Sequence, residues 1–220
     1  MQATCSLCGG QEKVLAYGSI NTAEDPDLKA KVKDGSLFVW ECPHCGGYNL
    51  ARYQTLYHDP DQKLMVWLMP EGSMPPEQLA AVQQHMEVIA EQAFDGEDGY
   101  TLRRVGDIGS LMEKVNIFDA NLDDRVIEMC KYVTKMELAE GEKDPSRAAA
   151  ILDTPFKFFK LEGADGDITL SFPQDGQMQG IHIGFNVYED CRGILQRNPS
   201  VTVAKGFAKV DADWLGQYFR

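Results

Sequence analysis

Four of the chain's six cysteines fall into two copies of one phrase. The copies are Cys5-Ser6-Leu7-Cys8-Gly9-Gly10 and Cys42-Pro43-His44-Cys45-Gly46-Gly47, with 33 residues between Cys8 and Cys42. Two cysteines three positions apart on a tight turn can direct both sulfurs at one ion. Two such turns supply the four soft thiolates of a tetrahedral zinc site. The glycines serve the same end, because the backbone must turn back after the second cysteine and such turns often need positive φ. Pro43 fixes φ inside the second turn. Cys5, Cys8, Cys42 and Cys45 are therefore the candidate metal ligands, and zinc is the expected cofactor. A closed set of four thiolates leaves no open coordination position, so a structural role is expected. A redox dithiol belongs at a strand–helix junction, whereas each pair here leads through Gly-Gly into a predicted strand. His44 could replace a cysteine as ligand, but with four thiols at hand it is expected to face solvent.

A second constellation is Tyr57-His58-Asp59, at the end of a predicted strand beside the turn Asp59-Pro60-Asp61. A neighbouring histidine and aspartate could do general acid–base work. Adjacent strand residues point to opposite faces, however, so His58 and Asp59 are not expected to address one substrate. A turn held by side-chain hydrogen bonds is the simpler reading. Cys130 and Cys191 fall on predicted helices as buried thiols, and only their meeting in space would make them a pair.

The elements that must position the paired turns follow from pattern. Gln11 to Ile20, Ser36 to Glu41 and Tyr48 to His58 read as strands. Asp25-Pro26 starts a short helix that Gly35 ends. Tyr53, Thr55 and Tyr57 share one strand face, and Leu64 to Met69 is apolar on both faces, as in a covered strand. The first lobe is thus expected to be a small antiparallel sheet with zinc at one end and one crossover helix. Pro75 to about Phe94 reads as a helix striped by Leu79, Val82, Met86, Ile89 and Ala93. A strand from Tyr100 to Val105 follows, then a helix starting at Asp107 or Ser110. Asn121 is the expected cap of the next helix, whose stripe is Leu122, Val126, Met129, Val133 and Met136. Beyond Glu140 to Ser146, read as a linker, come strands at Pro155–Glu162, Asp167–Phe172 and Gln179–Phe185. A helix at Asn186–Arg197, a short strand at Val201–Ala204 and a closing helix at Asp211–Phe219 complete the chain. The expected architecture is α+β: a zinc-ribbon-like antiparallel β lobe, a helical middle and a β-rich C-terminal lobe. The expected domains are residues 1–139 and 147–220.

Hydrophobic content of 44% and charged content of 25% are those of an ordinary globular chain of 220 residues. Such a chain can bury a core without metal, so zinc is expected to hold one lobe rather than the whole. The absence of a secretory signal before Cys5, with six cysteines, predicts a reducing, cytoplasmic setting. No run is long and apolar enough to predict a membrane span. The net charge of −13 repels phosphate backbones and argues against nucleic acid.

The order and spacing of several stretches resemble the CpXC family. They include Cys5 to Gly9, Asp25-Pro26-Asp27-Leu28, Gly35-Ser36-Leu37-Phe38, Cys42-Pro43-His44-Cys45-Gly46 and Leu56-Tyr57-His58-Asp59-Pro60. Leu111 to Phe118 and Leu122 to Glu128 extend the resemblance to about residue 135. The first turn departs from the family pattern by lacking the proline, which leaves its ligands in place. The resemblance implies zinc binding through the two turns and adds no activity. With no P-loop, G-x-G-x-x-G, H-E-x-x-H or G-x-S-x-G, the expected function is that of a zinc-stabilised interaction or scaffold module with a protein partner. The alternative is an enzyme with acid–base chemistry near Tyr57, His58 and Asp59, remote from zinc.

Overall fold

A computed structural model of the chain describes residues 1–70, 72, 76–93, 99–163 and 166–219, with the side chains of residues 76, 77, 89 and 91–93 excepted. The chain groups into two compact units. One is Met1–Val115 with Ala204–Lys209, and the other is Asn116–Val203 with Val210–Arg220.

The first unit opens with two antiparallel ribbons. Strands β1 (Gln2–Thr4) and β2 (Gln11–Lys13) flank the first cysteine turn, and β4 (Val39–Glu41) and β5 (Tyr48–Leu50) flank the second. The remaining strands of this unit form a separate mixed sheet, ordered β3-β6-β7-β8, from Ser19–Asn21, Thr55–Asp59, Leu64–Leu68 and Thr101–Val105. Only its central β6–β7 pair is antiparallel; β3 runs parallel to β6, and β8 parallel to β7. The single strand read over Gln11–Ile20 is thus divided. Its first part closes a ribbon and its last part enters the sheet. Tyr48–His58 divides in the same way, and Ser36–Phe38 is a 3-10 turn rather than the start of a strand.

Helix α1 (Pro26–Lys33) connects the ribbons, with Pro26 in its first turn and Gly35 beyond its end at φ +79°. Asp25 stands at the cap position but makes no side-chain capping bond. The alternation read from the sequence holds: Ala51, Tyr53, Thr55, Tyr57 and Asp59 are buried, while Arg52 and Gln54 are exposed. All of β7 is buried, as its two-sided apolar pattern requires. Helix α2 (Pro76–Ala93) lays Leu79, Val82 and Met86 against Met65, Trp67 and Leu102. The side chains of the stripe positions Ile89 and Ala93 are not described, and Pro75 and Phe94 at its ends lie outside the described residues. Residues 204–209 return to this unit, where Arg104 N–H donates to the Ala208 carbonyl at 2.9 Å and Phe207 meets Trp67 edge-on at 6.0 Å.

Helix α3 (Ile108–Asp119) begins at Asp107, whose carboxylate accepts from the Ser110 N–H at 2.8 Å. The division between the units falls inside this helix. Asn121 is not the cap of α4 (Asp124–Gly141). It takes φ +55° and ends α3, while Asp123 caps α4 by accepting from the Arg125 N–H. Residues 142–144, within the stretch read as a linker, join α4 to α5 (Pro145–Asp153) inside the second unit. An antiparallel sheet follows, of β9 (Lys157–Glu162), β10 (Asp167–Gln174) and β11 (Gln177–Ile183), ordered β11-β10-β9. Its inner face joins α4 and α6 (Phe185–Arg197) in one core containing Met129, Phe158, Ile168, Leu170 and Tyr188. Of the methionines in the α4 stripe, Met129 is core, as its spacing implies, while Met136 is half-buried outside that cluster. Residues 201–204 are not a strand, and the closing helix α7 is limited to Ala212–Leu215, capped by Asp211. The chain is α+β, with antiparallel ribbons near the cysteines, a helical middle and an antiparallel C-terminal sheet. Among the described residues no helix is long and apolar enough to cross a membrane.

Candidate metal centre

The two cysteine turns have the same backbone construction. In the first, Cys5 N–H donates to the Gly10 carbonyl at 2.8 Å and Gly9 N–H to the Cys5 carbonyl at 3.0 Å. In the second, Cys42 N–H donates to Gly47 at 2.9 Å and Gly46 N–H to Cys42 at 2.8 Å. Gly9 and Gly46 sit at φ +72° and +69°, the left-handed region that a side chain disfavours. Each turn closes its own ribbon, so the three-residue strands before and after it hold both sulfurs on one side.

The turns face each other reciprocally. A Cβ on Gly10 would run into the His44 ring, and one on Gly47 into Leu7, so the third residue of each C-x-x-C lies over the second glycine of the other copy. Asn49 ties the copies together. Its Oδ1 accepts from Ser6 N–H at 2.8 Å and Ser6 Oγ at 2.9 Å, while its Nδ2 reaches the Gly47 carbonyl at 3.0 Å and Cys5 Sγ at 3.4 Å.

All four sulfurs lie within 4.8 Å of one another, a cluster able to hold a metal ion. Cys5 and Cys45 are 3.7 Å apart, as are Cys8 and Cys42. A Zn–S bond of about 2.3 Å gives a tetrahedral S···S edge of about 3.8 Å, so the donor set fits zinc in both chemistry and size. Cys5 and Cys42 are buried, whereas Cys8 and Cys45 are exposed. His44 is exposed beside the cluster, as expected.

Three of the thiols are shifted from their ordinary values. Burial pushes Cys5 up, but the N–H groups of Cys8 and Leu7, the Asn49 amide and the Cys45 thiol outweigh it and bring its pKa to about 6. The Gly47 N–H favours the Cys45 thiolate, yet Cys8, desolvation, Cys5 and Cys42 together push it up to about 12. Cys8 is raised too: the Gly10 N–H and Cys45 lower it, but desolvation and the Cys42 and Cys5 sulfurs prevail. One thiolate is welcome in this cluster and further ones repel it, so full ionisation needs a cation at the centre.

Tyr57, His58 and Asp59 do not form one site. Tyr57 and Asp59 share the buried face of β6, where Tyr57 OH donates to Asp59 Oδ2 at 3.1 Å. Lys29 pairs with Asp59 at 2.9 Å, and the Gln62 N–H donates to its other oxygen at 3.2 Å, closing the turn. His58 is on the opposite face, where its Nε2 is 3.0 Å from Tyr100 OH. Cys130, on α4, and Cys191, on α6, are both buried in the core of the second unit.

Asn49 and the reciprocal covering by Leu7 and His44 escape the sequence reading. The position matching Asn49 in the first copy is Glu12, so the repeat itself gives no cue to the staple. Neither curated proteins nor solved structures give a match to the chain. The pattern defining the family described as CpXC protein matches residues 3–131, spanning both cysteine turns and more than half of the chain. The protein therefore belongs to the CpXC family.

Proposed function

We propose that Cys5, Cys8, Cys42 and Cys45 bind one zinc ion, and that this ion fixes the two ribbons as a rigid interaction module in the cytoplasm. The observation that carries the reading is the gathering of four sulfurs from two distant turns, with two separations of 3.7 Å. Four protein thiolates complete a tetrahedron, so the ion has a structural role and activates no water. The N–H groups of Gly10 and Gly47 stand beside Cys8 and Cys45 and offset the excess negative charge of such a site.

The interaction reading draws on the second ribbon. Val39 pairs across it with Leu50, and Glu41 with Tyr48. Val39, Leu50 and Tyr48 are 45%, 55% and 71% exposed, large apolar side chains on strands that zinc would hold still. A protein partner is the fitting occupant, and the charge of −13 disfavours a nucleic acid.

Elemental analysis of the purified chain should find one zinc per chain, and the double variant Cys42→Ser/Cys45→Ser should have none. Stoichiometric iron in place of zinc, or undiminished zinc in the variant, would refute the assignment.

A further inference from the structure

The four cysteines of the metal centre differ in access. Cys5 and Cys42 are 1% and 0% exposed, while Cys8 and Cys45, the second cysteine of each turn, are exposed. Two sulfur–sulfur contacts cross from one turn to the other, and each joins an exposed cysteine to a buried one. Cys8 lies 3.7 Å from Cys42, and Cys45 lies 3.7 Å from Cys5. A thiolate is the nucleophile toward oxidants, and one that water can reach is open to them even in a closed coordination set.

We propose, building on the zinc reading above, that Cys8 and Cys45 are oxidation sites, through which hydrogen peroxide converts the centre from zinc-held to disulfide-held with the pairs Cys8–Cys42 and Cys5–Cys45. In the first step the Cys8 thiolate attacks one oxygen of peroxide. An S–O bond forms, the O–O bond breaks, and hydroxide leaves. The Cys42 thiolate then attacks the Cys8 sulfur. An S–S bond forms, the S–O bond breaks, and a second hydroxide leaves. Two thiolates have given up two electrons, and one peroxide, with two protons from solvent, has become two waters. A second peroxide does the same at Cys45, with Cys5 as the resolving thiolate. No thiolate then remains for the ion, and zinc is released.

Both links run between the turns. They span 33 intervening residues for Cys8–Cys42 and 39 for Cys5–Cys45, so each constrains the chain over a long loop. The β1–β2 ribbon therefore stays tied to the β4–β5 ribbon after the metal has gone. Disulfides closed inside each turn, Cys5–Cys8 and Cys42–Cys45, would release one ribbon from the other.

The test begins with the full chain, its zinc content measured first, treated with hydrogen peroxide beside a chromophoric chelator. One zinc should be released for every two peroxides consumed. Trypsin digestion without reduction should then give the peptide 1–13 linked to the peptide 34–52, with fragmentation assigning Cys8 to Cys42 and Cys5 to Cys45. With peroxide below one equivalent and dimedone present, the sulfenic acid should be trapped on Cys8 or Cys45 and not on Cys5 or Cys42. Zinc retained under peroxide that fully oxidises a free-thiol control would overturn the proposal. So would the two peptides emerging unlinked, each with its own internal disulfide, or dimedone on the buried cysteines. A chain without zinc before peroxide is added would refute the zinc reading itself, and the proposal with it.

Discussion

At the scale of single residues, the cysteines are the visible part of the centre, and Asn49 is the part that repetition hides. Its one amide accepts from Ser6 and donates toward Cys5 Sγ and the Gly47 carbonyl, so it fixes the first turn against the second. Outer groups of this kind typically change metal affinity by about 10–100-fold when removed. Asn49→Ala is expected to weaken zinc binding by about that factor, measured by competition with a chromophoric chelator, while retaining the one-to-one stoichiometry. The glycines separate into two kinds. Gly9 has open space around its Cα and needs only its left-handed φ, so Gly9→Ala should cost about 1 kcal/mol in urea unfolding. Gly10 has ordinary φ, but a Cβ on it would lie 2.6 Å from the His44 ring and 3.3 Å from Cys8 Sγ, so Gly10→Ala should disturb the metal site more than the backbone. Cobalt substitution would show the difference. The visible absorption bands of a tetrahedral thiolate site should shift for Gly10→Ala and stay unchanged for Gly9→Ala.

At the scale of elements, strand β6 shows why the His58–Asp59 neighbourhood is architecture. Burial raises Asp59, but Lys29, the Gln62 N–H and Tyr57 OH outweigh it and hold the carboxyl below its usual range. A carboxyl depressed on folding stabilises above its unfolded pKa of about 3.9, and that contribution is lost as pH falls through its folded value. Burial lowers His58 against the smaller opposing pull of Asp59 and Glu24, so folding favours its neutral ring. Its contribution is complete above about pH 6.5 and is lost as pH drops from there to its folded pKa. Urea midpoints should therefore fall in two stages on acidification. His58→Gln should flatten the stage below about pH 6.5, and Asp59→Asn the stage below about pH 4. The reverse assignment, or a single stage unaffected by either change, would refute this account. What the sequence discloses here, and what it does not, has a physical cause. Alternation from Ala51 to Asp59 and the unbroken apolar run of β7 are local records of burial, and they translate directly into faces. The pairing of β3 with β6 and of β7 with β8 is parallel, set by long connections that leave no mark in the strands themselves. Within Gln11–Ile20 and Tyr48–His58, extended residues run on from ribbon to sheet, and no local signal marks where the partner changes.

At the scale of the whole molecule, the zinc reading has the metal and the hydrophobic cores divide the labour. Every ribbon strand alternates exposed and half-buried residues, and none contributes a fully buried side chain. No fully buried apolar side chain of these strands orders the ribbons, and on the proposed zinc reading the binding free energy of a structural thiolate site, roughly 10–16 kcal/mol in small zinc peptides, orders the turns. The mixed sheet stands on different ground. Val66, Leu68, Tyr57 and Ile20 are at 1% exposure or less, and the second unit has its own core about Ile127, Ile168 and Leu170. Stripping zinc with a strong chelator should therefore melt the ribbons locally instead of unfolding the chain. In hydrogen exchange, the turn amides of Cys5, Gly9, Cys42 and Gly46 should lose protection on chelation, while those of β6, β7 and β10 keep theirs. Restoring one equivalent of zinc should return the turn amides to slow exchange and release protons, because the raised thiols of Cys8 and Cys45 must ionise to bind. Collapse of protection throughout β7 and β10 on chelation would mean that the ion holds the whole fold. Unchanged protection at the turns would mean that packing alone holds the ribbons.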